Sequence, residues 1–139
     1  MIVADTSLLF ALLDRSDQHH VAATAWYERE LPDLICTPLI LAEVDHLTES
    51  RLGAHATRAY RQDVIAGAYQ TKWWTGAEVE AAEIADRYAA LSLGMADASL
   101  IALAAVLQTT TIATFDERHF RAVRPLSGDA FRLLPFDAS

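Results

Sequence analysis

Short apolar runs recur along this chain, separated by longer stretches with helical periodicity, and this alternation constrains the fold more than any other feature. Residues 2–4, 34–36, 69–74, 110–114 and 131–134 read as strands. Between them lie helical patterns at 7–14, from Ser16 or Asp17 as a cap through Trp26 to Glu30, and from 38 to just before Gly53. Further helices are expected at 54–67, 78–91, 96–107 and briefly at 116–121. Thr37-Pro38 supplies an N-cap with proline at the first helical position, and Thr75 can cap the helix that follows it. Strands separated by helices favour a mainly parallel sheet of about five strands covered by helices on both faces, an α/β fold.

The chain of 139 residues fits one domain spanning 1–139, and 53% hydrophobic residues supply the core that such a domain needs, which excludes intrinsic disorder. No repeat or low-complexity linker interrupts it. One cysteine, Cys36, sits among apolar neighbours and cannot form an internal disulfide, so a reducing compartment is expected. The amino terminus lacks a cationic leader, and the apolar run 8–13 is too short to span a bilayer, so the expected location is the cytoplasm, with no membrane partner. The formal net charge of −8, with Lys72 the sole lysine, argues against strong unaided nucleic-acid binding.

Ligands of open α/β sheets bind outside the carboxyl ends of the strands, so acids just after strands are the first candidates. Asp5 follows 2–4 directly, and Asp116 follows 111–114 after one residue. Each also fits an N-cap. Glu43 shares a helical face with Leu39 and Leu47, where burial would demand compensation, and Asp97 precedes Leu100 and Ile101 on an apolar helix. Asp97 alone also fits a first-turn acid facing the helix dipole. If the four converge at one end of the sheet, they cannot all stay ionised without protons or divalent cations, and an all-oxygen site suits Mg²⁺ or Mn²⁺. Thr6, Ser7 and Thr114 stand beside these acids as supporting hydroxyls, although each also fits a helix cap.

Other groups fit less well. Asp45 points away from Glu43, and Glu78, Glu80 and Glu83 read as a solvated face. Adjacent His19 and His20 diverge on a helix and make no chelating pair. His119, three residues after Asp116, reads as a surface histidine. Arg118, Arg121 and Arg124 form the only basic concentration, a solvated face that would also suit phosphate steering. Trp73 and Trp74 are expected on opposite faces of the third strand. No phosphate-binding glycine loop, zinc spacing or nucleophile elbow is present.

The segments Ile2-Val3-Ala4-Asp5-Thr6-Ser7, Pro38-Leu39-Ile40-Leu41-Ala42-Glu43-Val44, Ala96-Asp97-Ala98-Ser99-Leu100-Ile101-Ala102 and Thr114-Phe115-Asp116-Glu117-Arg118-His119-Phe120 together resemble PIN-domain proteins of the VapC toxin type. The resemblance spans essentially the whole chain. It implies that Asp5, Glu43, Asp97 and Asp116 are catalytic acids that bind Mg²⁺ or Mn²⁺, one or two ions per site. It also implies an endoribonuclease cutting structured RNA such as tRNA or rRNA to arrest translation, held inactive by a VapB-type antitoxin. A homodimer is implied as well, reaching operator DNA only through the antitoxin. Two other classes stay open at this point: a phosphoacceptor signalling domain, which would want a lysine near the acids, and a PIN-like scaffold that binds a partner without cleaving anything.

Overall fold

The computed structural model describes residues 1–138. Five parallel strands form one sheet in the order β3-β2-β1-β4-β5: β1 (Ile2–Ala4), β2 (Leu34–Cys36), β3 (Gln70–Thr71), β4 (Thr111–Ala113) and β5 (Arg132–Leu134). The central strands are short and almost wholly apolar, as expected when helices cover both faces of a parallel sheet. Val3, Ile112 and Leu133 are fully buried. The chain runs outward from β1 through β2 to β3, then crosses back to place β4 on the other side of β1. The reversal opens a crevice at the carboxyl ends of β1 and β4, where this class of sheet binds its ligands.

Among the described residues, seven α-helices connect the strands: α1 (Thr6–Leu13), α2 (His20–Glu30), α3 (Pro38–Leu52), α4 (Ala54–Ile65), α5 (Ala77–Arg87), α6 (Met95–Val106) and α7 (Glu117–Phe120). The α6 helix, uncharged but for Asp97, packs against β1, α3 and α5, and buries Ala98 to Ala104 without a break. The stripe Ile40, Val44 and Thr48 turns α3 inward at the i, i+4, i+8 spacing of one helical face. Gly53 separates α3 from α4 with φ of 90°, a conformation that costs glycine nothing.

Several sequence expectations shift at element edges. Only Gln70 and Thr71 pair as a third strand, so Trp73 and Trp74 do not lie on alternate faces of one. The strand is an edge with β2 as its single neighbour, and the Trp74 indole instead donates to Glu80 Oε2 at 2.9 Å. Neither Ser16 nor Asp17 caps α2; that helix starts at His20, with the Asp17 carboxylate accepting from the His19 backbone N–H. Gly76, not Thr75, precedes α5, which ends at Arg87 before a separate 3-10 turn at Ala89–Leu91. Cys36 is buried, and burial pushes its thiol up to about 12, so it is an inert core group. No helix among the described residues is long and apolar enough to cross a membrane.

Candidate active site

The crevice at the β1–β4 join is a cavity of about 370 Å³ lined by Asp5, Glu43, Asp97 and Asp116. Four segments far apart in sequence supply these acids: the end of β1, the middle of α3, the first turn of α6 and the loop after β4. Thr6 and Ser7 line the same space.

Asp5 is buried and stands at the N-cap position of α1, yet its side chain makes no cap hydrogen bond. Its Oδ2 instead accepts from Ser7 Oγ at 2.8 Å and from Thr114 Oγ1 at 2.7 Å. Each hydroxyl has one proton, and both are spent on this oxygen. The 3.1 Å approach of Ser7 Oγ to Thr114 Oγ1 is therefore packing of two donors around a shared acceptor. The same hydroxyls accept backbone N–H groups from the next loop: Phe115 to Ser7 at 2.9 Å and Asp116 to Thr114 at 2.9 Å. The Thr6 hydroxyl is buried and has no partner among the described residues, leaving a polar atom for a bound species to satisfy.

A second hydroxyl pair joins the elements that carry Glu43 and Asp97. Ser99 Oγ gives its proton to the Ala96 carbonyl at 2.6 Å, so Thr37 Oγ1 is the donor in the 2.7 Å Thr37–Ser99 contact. Thr37 thus caps no helix with its side chain; it ties the start of α3 to the first turn of α6. Asp97 is half-buried on that turn and lines the cavity with Asp5. Burial, then the charges of Asp5, Glu43 and Asp116, push its carboxyl up to about 8. Burial pushes Asp5 up as well, against the hydrogen bonds from Thr114 and Ser7 that draw it down.

Glu43 is exposed, contrary to the burial expected from its leucine neighbours. The buried stripe of α3 runs through 40, 44 and 48, one helical step round from 39, 43 and 47, so Glu43 stands at the mouth of the cavity with Leu47 as part of its wall. Asp116 accepts from the His119 backbone N–H at 3.1 Å as an ordinary N-cap of α7. Its other oxygen lies 2.8 Å from His119 Nδ1. His119 Nε2 reaches the Leu91 carbonyl at 3.1 Å, so both ring nitrogens are engaged. His119 is thus no free surface residue, as its position had suggested; it braces Asp116 against the 3-10 turn. Only its place three residues after an acid hinted at this.

Asp97, Asp116 and His119 offer ligand atoms within 4.8 Å of one another. With both histidine nitrogens occupied, the donors left to a cation are carboxylate and hydroxyl oxygens, a set that fits Mg²⁺ or Mn²⁺. Among the described residues, no lysine or arginine pairs with any of the four acids. Asp45, by contrast, bonds Arg61 at 2.7 Å on the outer side of α3. Arg121 is held by Glu117 at 2.6 Å and by Asp137 at 2.8 Å, while Arg118 and Arg124 are exposed without an ion pair among the described residues. His19 and Arg51 also line the cavity, and neither was singled out from sequence for this site.

A parallel sheet with this strand order and an acidic crevice beside its central strand is the architecture of a PIN domain, and the PIN-domain family profile matches residues 2–125. Ribonuclease VapC26 of Mycobacterium tuberculosis is 35% identical over 135 residues, which cover 96% of this chain and all of that protein. The chain belongs to the PIN-domain family, among its VapC-type members. The crystal structure of Mycobacterium tuberculosis VapC20, described as a sarcin-ricin loop cleaving toxin, superposes with a TM-score of 0.76 at 21% identity, covering 84% of this chain and 91% of that one, and shares its fold.

Proposed function

We propose that this protein is a Mg²⁺- or Mn²⁺-dependent endoribonuclease, the toxin of a toxin–antitoxin pair, which hydrolyses phosphodiester bonds in structured RNA such as tRNA or rRNA and so arrests translation. The observation that carries the reading is the convergence of Asp5, Asp97 and Asp116 on one cavity with no lysine or arginine ion-paired to them among the described residues; burial first, and then the neighbouring carboxylates, raise Asp97 to about 8. Such a site is at rest only when a divalent cation or protons offset the repulsion. The ribonuclease name of the 35% identical relative supports the same chemistry.

Asp5, Asp97 and Asp116 would hold one or two ions per site, which when bound supply Lewis-acid stabilisation of the charge developing on the phosphoryl oxygens. The chain's own groups do the positioning. Ser7 and Thr114 fix the orientation of Asp5 through Oδ2, and His119 fixes Asp116. Glu43, without an ion pair among the described residues, either completes the ligand set or orients the attacking water and takes its proton. Thr6 offers its unpartnered hydroxyl to water or substrate. Attack by water leaves 5′-phosphate and 3′-hydroxyl ends. Exposed Arg118 and Arg124 would steer phosphates by their charge; Arg121, taken up by two carboxylates, has less charge to offer. By the same family reading, a VapB-type antitoxin holds the enzyme inactive in the cytoplasm, and the chain forms a homodimer that meets operator DNA only through that antitoxin.

The test is brief expression of the wild type and of Asp5→Asn in cells with RNA 5′ ends mapped, paired with cleavage by purified protein with and without Mn²⁺. New ends bearing 5′-phosphate, absent from the variant and dependent on metal, are expected. A 2′,3′-cyclic phosphate in the digest would overturn the mechanism.

A further inference from the structure

One wall of the acid cavity is aromatic. The His19 imidazole stacks on the Phe115 ring with centroids 4.2 Å apart and planes within 3°. Phe136 meets both rings edge-on, at 6.5 Å from His19 and 5.6 Å from Phe115. His19 and Phe115 line the cavity, and Phe136, 43% exposed, adjoins them outside its lining. Each member is held from behind. The His19 backbone N–H donates to Asp17, Phe115 N–H donates to Ser7 Oγ within the network that orients Asp5, and the turn after Phe136 is pinned by the Arg121–Asp137 ion pair. Arg51, at the end of α3, lies on another wall of the same cavity. Its guanidinium sits 5.4 Å over the Phe10 ring and has no carboxylate partner among the described residues.

We propose that His19, Phe115 and Phe136 are a stacking platform for an unpaired base next to the phosphodiester that is cut, and that Arg51 contacts a phosphate flanking it. The inference rests on the ribonuclease reading of the acids and adds how that site holds its substrate. An aromatic face accepts any base, and a pre-ordered face does so at small entropic cost. Phe115 immediately precedes Asp116, so a base on this wall keeps its own phosphate beside the acids. In a chain of net charge −8, an unpaired arginine inside an acidic cavity is where a polyanion finds a contact that the acids cannot give. The platform favours RNA whose bases are already unstacked, in a loop or bulge, over paired stems.

The test combines kinetics with a direct stacking signal. Phe136→Leu, Phe136→Trp and Arg51→Gln all change exposed side chains, and each is compared with wild type in Mg²⁺ for kcat and KM on total RNA. Binding of a short single-stranded RNA containing a fluorescent purine analogue, quenched by stacking, is read at low salt in the Asp97→Asn background. Phe136→Leu is expected to raise KM about tenfold with kcat little changed and to abolish most of the quench, while Phe136→Trp retains both. Arg51→Gln should raise KM and flatten its salt dependence while leaving the quench of bound RNA in place. Ring-dependent quenching without any cleavage by wild type would sustain the platform and remove the nuclease. Cleavage with KM and quench indifferent to Phe136, or no quench in the parent protein, would overturn the platform.

Discussion

The Thr114 hydroxyl donates to Asp5 Oδ2 at 2.7 Å, joining residues 109 positions apart across the parallel pairing of β1 with β4. The same hydroxyl accepts the Asp116 N–H, so one threonine sets the orientation of two acids. Thr114→Val keeps the shape and removes both contacts. The Asp116 N–H is left unsatisfied, at a cost of about 1–3 kcal/mol, and Asp5 Oδ2 keeps only its bond from Ser7. Denaturant melts should show that loss along with reduced cleavage, and Thr114→Ser should restore most of both.

Asp97→Asn removes one charge from a crowded cluster while keeping the side chain's volume. The metal-free protein is expected to melt at a higher temperature than wild type, and cleavage to fall by about a hundredfold or more. Thermal melts in chelator, paired with rates in Mn²⁺, check the two opposed effects. Glu43→Gln should stabilise far less, because its carboxylate is in water. An Asp97 that served only as a first-turn acid would show a small loss of stability and full activity.

The carboxyl of Asp97, raised to about 8 from an ordinary value of 3.8, makes stability depend on pH with a definite sign. Between those values the folded state holds more protons than the unfolded state, so stability falls as pH rises through that window and levels off above it. Asp14, Asp45 and Asp137 are held low by their partners and act only at the acid end of the scale. Melting temperatures in chelator from pH 5 to pH 9 should therefore decline. Saturating Mg²⁺ should raise them most at the alkaline end, and Asp97→Asn should reduce the slope, the remainder coming from Asp5, whose carboxyl burial also pushes up.

His119→Ala leaves Asp116 without the 2.8 Å brace and the Leu91 carbonyl without its donor. Partners of this kind orient metal-binding groups, and their loss typically weakens affinity by roughly ten- to hundredfold. Titration of Mn²⁺ by electron paramagnetic resonance should find a shift of that size, with the far-ultraviolet circular dichroism spectrum unchanged. A histidine that was merely a surface residue would leave the titration where it was.

The acids were legible because their positions are local properties: Asp5 directly after an apolar strand, Asp116 in the loop after another, Asp97 at the head of an apolar helix. What depended on neighbours was not. The leucines at 39 and 47 pointed Glu43 into the core, and only the packing of α3 shows that the buried stripe lies one residue further round. Aromatic and β-branched content marked 69–74 as a strand, yet an edge with one partner pairs over two residues before the chain turns away. His19 and Arg51 carry no sequence signal for the cavity, and His119 only its place three residues after an acid, because stacking on Phe115, the reach of α3 and bracing of Asp116 are tertiary facts.

The order of the strands has a consequence for synthesis. The first acid is made at once, but Asp5 meets its second hydroxyl only when β4 has inserted beside β1, and Asp116 follows β4 in the chain. No amino-terminal fragment that stops short of β4 contains the site. In a protein of this design the acids are brought together by the closing of the sheet, so the site and the β1–β4 pairing form in one event.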